Sequence, residues 1–433
     1  MDFETLYRER LTDAASAAAM IPSGAKVAMA LGVGQPPALL AAIAARAEAG
    51  TFEAISLYYM LSTAIAGKTV LRPELNGRIR PYSLFHSGVE RALEDAGCTV
   101  EFISSSFQQV PRVLTHEVGV DTLVATVSSM DGEGNFSFGT NPDYSVAVAN
   151  TAKRVILEVN PNMPHTGGRS TIHVSRVTAI VEHDVPLLAV PEVAPRAEDR
   201  AIGGYIAEMV RDGATLQMGI GALPNAVCEA LAGHRDLGVH TEMFTPGLAR
   251  LMQKGIVTNA RKAIHTGETV FAFAMGDADT YRFIDRNPAA AAYPVDYVND
   301  PYVIAQNPGM VSVNATLQVD LMGACCSEYL GGRQYTGSGG QLDFVRGAVA
   351  SEGGRSIIAC HATAAKGTLS RIVPQLDGPV TTPRNDVQYI ATEFGVAELK
   401  GKSMSERARA LIAIAAPQFR DELTGQAKEL GLI

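Results

Sequence analysis

Two segments in the second half of the chain carry residue types that could do chemistry. In His240-Thr241-Glu242-Met243-Phe244-Thr245-Pro246-Gly247, a lone acid follows the strand-like residues 237–240 and precedes a helix starting near Pro246. Ligands of open α/β sheets sit at the C-terminal ends of strands, where a carboxylate could act as a nucleophile. From residue type alone, the simpler role for Glu242 is a solvated loop carboxylate or a helix N-terminal acid. The second segment is Thr336-Gly337-Ser338-Gly339-Gly340-Gln341, whose glycines lead toward a helix. Such a run can turn backbone N–H groups toward an oxyanion or a phosphate, or it can be a plain turn. Asp343 and Arg346 follow at a spacing that suits a same-face helix pair.

A third pattern is an internal echo. Residues 26–39 contain Gly32-Val33-Gly34-Gln35-Pro36-Pro37, and residues 214–227 contain Gly219-Ile220-Gly221-Ala222-Leu223-Pro224-Asn225. Both read as strand, Gly-x-Gly turn, proline and helix, a geometry that lets backbone approach a ligand. Two such units predict a duplicated architecture with the turns facing a shared cleft, chance similarity of two common turns being the alternative. Neither turn is a dinucleotide fingerprint, because Pro37 or Pro224 holds the third glycine position. The Pro-interrupted turns speak against a nicotinamide oxidoreductase, and Walker and Gly-x-Ser-x-Gly motifs are missing too.

These segments need a scaffold. Short β-branched runs such as 155–159 and 356–360 alternate with Ala-rich stretches of helical period at 3–20, 35–49 and 225–232, the signature of βα units with largely parallel sheets. Ser403-Met404-Ser405-Glu406 has capping-box spacing before another helix. A length of 433 residues exceeds one ordinary core. The expected fold is therefore α/β, with two similar open domains and an active-site cleft between them. The boundary falls in the Pro-containing segment 185–195, giving domains 1–188 and 189–433.

Composition narrows the partners. Hydrophobic residues make up 47% and charged residues 19%, enough apolar material for two cores. A net charge of −9 without a basic run argues against nucleic acid, yet leaves room for a polyphosphate ligand held by local donors. Five cysteines without ligand spacing, and histidines scattered along the chain, suggest neither a disulfide framework nor a metal site. The start lacks a basic n-region and no apolar stretch reaches membrane length, so a cytoplasmic enzyme that binds no membrane is expected.

The quoted segments resemble the 4-hydroxybutyrate CoA-transferase and acetyl-CoA hydrolase/transferase branch of the class I CoA-transferases, over almost the whole chain. The matching stretches are the 219–227 turn, His-Thr-Glu at 240–242, residues 293–301, 319–323 and 337–348, Arg371-Ile372-Val373-Pro374, and 392–403. The resemblance implies that Glu242 is the catalytic glutamate, with Gly339 and Gly340 supplying oxyanion N–H donors. On the same grounds Gly219, Gly221, Asn225, Asn307, Gly337 and Lys366 lie on the CoA side, and Gly32, Gly34 and Gln35 on the acid side. Lys366 reads equally as an exposed loop lysine, and Asn307 as a turn former. CoA and acyl-CoA would be substrates, with no permanently bound cofactor and no metal.

The implied acids are short-chain or small dicarboxylic, among them acetate, butyrate, 4-hydroxybutyrate, itaconate and succinate. Family habit suggests a homo-oligomer, dimer or higher. The alternatives are an acyl-CoA hydrolase using the same glutamate, and a non-catalytic acyl-CoA-binding protein. The chain departs from the family at His165, where relatives carry Arg. Arg clamps a carboxylate bidentately and His cannot, which leaves the acid preference open. Tyr58, Tyr59 and Met60 could shape an acyl pocket or simply form a core strand.

Overall fold

The computed structural model describes residues 2–219 and 221–433. The chain divides into two compact units, one running to Val190 and taking back Phe271–Tyr297, the other comprising Pro191–Val270 and Val298–Ile433. The linear boundary after residue 188 thus lies beside the first break, but a single cut cannot express the return of Phe271–Tyr297. In that returning stretch, Val190 N–H bonds to Gly276 O and Ala274 N–H to Thr140 O, which ties it into the first unit. Residues 183–196 form no regular element.

The first unit is built on β1 (Lys26–Met29), β2 (Ile55–Met60), β3 (Ile79–Phe85), β4 (Glu101–Phe102), β5 (Thr122–Val127), β6 (Arg154–Val159) and β7 (Ala179–Glu182). They form one seven-stranded sheet in the order β7-β6-β5-β1-β2-β3-β4. Every pairing is parallel. The order reverses between β1 and β5, the switch point at which doubly wound sheets bind ligands. Helix α1 (Pro37–Glu48) follows β1, with Pro at its start and Leu39, Leu40, Ile43, Ala44 and Ala47 buried at helical spacing. That face packs on β1 and β2 in a cluster that includes Val27, Met29, Leu57 and Ile156.

The predicted helix over 3–20 is in fact two, Phe3–Arg10 and Ala14–Ala19. Leu11 bridges to Ile180, and Asp13 caps the second helix by accepting a bond from Ser16 N–H, so a local cap overrides the continuous apolar period.

In the second unit, β8 (Thr215–Met218), β9 (Gly238–Phe244), β10 (Met310–Ala315), β11 (Arg355–Ala359), β12 (Tyr389–Thr392) and β13 (Gly395–Glu398) run in the order β13-β12-β11-β10-β8-β9. The pairings are parallel except β12 with β13. Here the winding reverses between β8 and β10. Each echoed glycine turn therefore follows the strand at which its own sheet changes direction, which accounts for the sequence repeat. The turns differ in detail: after β1 the chain makes a 3₁₀ turn over Gly32–Gly34, whereas after β8 the helix α2 (Ala222–Ala230) starts directly behind Gly221. Three more helices matter here: α3 (Pro246–Gln253), α4 (Gln341–Ala350) and α5 (Met404–Ala413), the last carrying the predicted capping box.

Candidate active site

Glu242 does not follow its strand, as residue spacing suggested; it lies within β9, which continues to Phe244 before α3 begins at Pro246. The strand pairs with β8 at Gly238 and Val239 and stays extended beyond His240, where residue spacing had ended it. Alternation along the strand puts His240 and Glu242 on one face and Thr241 on the other, where its hydroxyl meets Met218 O at 3.3 Å.

The Glu242 side chain is half-buried. Asn299 Nδ2 donates to its Oε2 at 2.6 Å. Burial pushes its carboxyl up to about 7; the bonds from Asn299 and from the Gly340 N–H pull it down, and the charge of Asp343 adds to the rise. The group thus sits poised between its two protonation states near neutrality.

Gly340 caps α4, and a Cβ on it would run into Glu242 Oε2 and Asn299 Nδ2. Close approach to the carboxylate is why this position must be glycine. Gly339 has φ +53°, left-handed backbone that glycine adopts without strain. Gly337, Gly339 and Gly340 are buried. The loop is held from behind by Glu328, a buried carboxylate that accepts from Ser338 Oγ at 3.3 Å, Thr381 Oγ1 at 2.9 Å and Gln334 Nε2 at 3.1 Å. Further along α4, Arg346 pairs with Asp386, while the buried Asp343 acts on Glu242. The structure thus brings Gly340 against Glu242, with Gly339 the preceding residue of the loop.

Of the other residues expected on the CoA side, Gly221 caps α2 with φ 121°, next to Gly219; Ile220 between them lies outside the described residues. Asn225 is nearly buried and donates to Val193 O at 3.2 Å. Lys366 is exposed at the tip of a turn in which Ala365, Lys366 and Gly367 all have positive φ (49°, 57° and 88°). Asn307 is wholly buried, which leaves its side chain no surface for a ligand, and its backbone carbonyl accepts from Ser351 Oγ at 2.7 Å.

In the first unit, Gly32 has φ +52° and packs against Met275, and Gly34 is tight against Asn141. Gln35 is fully buried: Oε1 accepts from Thr63 Oγ1 at 2.6 Å and from Thr63 N at 3.2 Å, and Gln35 O accepts from Thr126 Oγ1. Its amide braces the turn from inside. The N-terminal amides of α1 are also occupied, Leu39 N donating to Glu158 Oε2 at 3.0 Å. His183 Nδ1 lies 2.7 Å from Glu158 Oε1. Tyr58 stacks on Tyr82 at 4.7 Å within β2 and β3, and Tyr59 and Met60 are buried strand residues. His165 Nε2 is 3.4 Å from Asp131, and the His165 backbone N–H donates to Asp285 Oδ1.

Nothing in the sequence around Asn299 marks it for the site, although it lies in the 293–301 stretch that carries the family resemblance. An Asn followed by Asp-Pro reads as a turn, and nothing local says that it meets an acid from another strand.

The Acetyl-CoA hydrolase/transferase N-terminal domain profile matches residues 1–192, and the corresponding C-terminal domain profile matches 276–427. The chain belongs to the acetyl-CoA hydrolase/transferase family. Glu242 lies between the two matched stretches, but full-length relatives of the family span it. The chain is 42% identical to the succinyl-CoA:cyclohexane-1-carboxylate CoA transferase of Geobacter metallireducens, covering 100% of this chain and 98% of that one. It is 41% identical to the 4-hydroxybutyrate coenzyme A transferase of Clostridium kluyveri, covering 99% and 100%. Among solved structures, RipA from Yersinia pestis superposes with a TM-score of 0.97 at 53% identity over 100% of both chains. Family members named acetyl-CoA hydrolases are more distant.

Proposed function

We propose that this enzyme moves CoA between an acyl-CoA and a free carboxylic acid with Glu242 as the covalent carrier. The observation that carries the reading is a half-buried carboxylate, pushed up to about 7 and held by Asn299 and Gly340. Exchange without ATP requires the thioester's free energy to be kept in a covalent bond, which a carboxylate nucleophile can do.

In the first step a Glu242 oxygen bonds to the acyl carbonyl carbon and the C–S bond breaks, leaving an acyl-glutamyl anhydride and CoA thiolate. The thiolate then attacks the glutamyl carbonyl, the donor acid departs as its carboxylate, and a glutamyl-CoA thioester remains. An acceptor carboxylate attacks that thioester and the two steps reverse, with no net proton uptake. Each attack places negative charge on a carbonyl oxygen. The N–H groups of Gly339 and Gly340 are assigned to that charge, and loss of one such donor typically costs on the order of 10²- to 10³-fold in rate.

Gly219, Gly221, Gly337 and Lys366 are assigned to CoA, with Asn225 and Asn307 supporting that side from within. Gly32 and Gly34 are assigned to the acid by resemblance, and Gln35 holds their turn. The acids are short-chain or small dicarboxylic, in keeping with the succinyl and 4-hydroxybutyrate groups in the relatives' names; 4-hydroxybutyrate, acetate and itaconate are the first to assay. We place the enzyme in the cytoplasm as a homo-oligomer. Five free cysteines suit a reducing compartment, and no described helix is long and apolar enough to cross a membrane.

Mass spectrometry after exposure to labelled acyl-CoA tests the carrier: an adduct on Glu242 is expected, and exchange at full rate without one overturns the reading. Hydrolysis is the second reading, supported by the family's hydrolase members. CoA release that needs no added carboxylate would favour it.

A further inference from the structure

His240 is fully buried two residues before Glu242, on the same face of β9. Its Nε2 lies 2.7 Å from Val298 O. A carbonyl can only accept, so Nε2 carries the hydrogen and Nδ1 is bare in the neutral ring. Nδ1 has no hydrogen-bond partner among the described residues. Burial, together with the charges of Lys262 and His265, drives the imidazole down to about 3 and keeps it neutral across any working pH.

Two contacts of this ring each lead to a group that holds Glu242. Val298 is the residue before Asn299, whose amide bonds to Glu242. On the other side the ring meets Phe344, with centroids 6.3 Å apart. Phe344 N–H bonds to Gly340 O at 3.0 Å in the first turn of α4, and Gly340 touches Glu242. Behind the ring, Lys262 Nζ donates to Val239 O at 2.9 Å and to Glu268 O at 2.6 Å, so the strand under His240 is itself anchored.

We propose that His240 is a positioning residue: its Nε2–H on the Val298 carbonyl and its ring against Phe344 together hold Asn299 and Gly340 at the Glu242 carboxylate. The inference rests on Glu242 being the carrier. It is independent of which acid is transferred.

Glu242 faces Asn299, Gly340 and Asp343, and its titration reads their placement. Gln can put an amide N–H about where imidazole Nε2 stands, whereas Asn is too short to reach Val298 O. His240→Asn should therefore move the acid limb of the kcat/KM profile upward by about a pH unit and slow transfer roughly 10- to 100-fold, as a displacement of about 1 Å can. His240→Gln should restore most of both. In an Asn299→Ala background, His240→Asn should add less than it does alone, because the part of its effect that runs through Asn299 is already lost. Phe344→Leu is milder and leaves the Val298 bond in place; it should move the limb in the same direction.

A purely structural histidine would lower Tm in His240→Asn and His240→Gln alike without moving the limb. An unmoved limb in folded His240→Asn, or in folded Phe344→Leu with wild-type rate, overturns the proposal. An acyl adduct on Glu242 of the wild type separates this failure from failure of the carrier assignment.

Discussion

The backbone of Gly340 approaches the Glu242 carboxylate so closely that no β-carbon fits between them. The atoms a side chain would strike are Glu242 Oε2 and Asn299 Nδ2, both at the ends of side chains that can swing away. Room for a methyl group could thus be made only by displacing the two groups proposed to do or support the chemistry.

Gly340→Ala should consequently fold, with an unchanged circular dichroism spectrum, and lose about 10²-fold or more in transfer rate, since misplacement by about 1 Å costs that much. A steady-state assay beside a thermal melt checks both halves.

Glu242→Gln should kill transfer and stabilise the protein. Burial pushes the folded carboxyl up to about 7 against an ordinary value of 4.5, so between these pH values the folded state holds more protons than the unfolded one. Stability therefore falls as pH rises through that window, and the penalty is complete above 7. Discounting for partial exposure, the variant should exceed wild type by about 1–3 kcal/mol at pH 8 and match it near pH 4. Urea titrations at the two pH values measure the difference.

Asn299→Ala removes the bond that pulls the Glu242 carboxyl down. The acid limb of kcat/KM, expected near pH 7 in wild type, should move up, and the rate at neutral pH should fall. A pH profile with saturating CoA thioester and varied acid reads this directly.

Glu242→Asp keeps the charge on a shorter arm. Transfer should drop while thioester loss to water rises, because an intermediate set back from its donors is captured less efficiently by the incoming acid. Equal transfer rates for the two enzymes would contradict the geometry.

Glu158→Ala should cost about 2–4 kcal/mol in chemical denaturation, because Leu39 N–H at the start of α1 and the His183 ring would both lose their partner inside the first unit.

Much of the framework was legible in the chain. Buried β-branched runs at 154–159 and 355–359, Pro37 at the start of α1 and the Ser403/Glu406 capping box are local signals, decided by side-chain shape and by hydrogen bonds a few residues long. The paired glycine turns were legible for the same reason, since a strand that must turn at once into a helix needs residues tolerant of unusual φ. The ends of elements were less so. The continuous apolar period over 3–20 concealed the Asp13 cap, and nothing local shows that β9 runs past His240 to Phe244.

By itself the sequence determined that this is an α/β chain of βα units, that Glu242 stands ahead of α3, and that a glycine run opens α4, because each depends on near neighbours in the chain. Only the tertiary structure decided that Asn299 and Gly340 converge on the Glu242 carboxylate, that Phe271–Tyr297 rejoins the first unit, and that Gln35 and Asn307 face inward. Those are contacts between segments tens of residues apart. They are set by the order and register of the strands and by the exclusion of water from around them, and no local pattern of residue types encodes either.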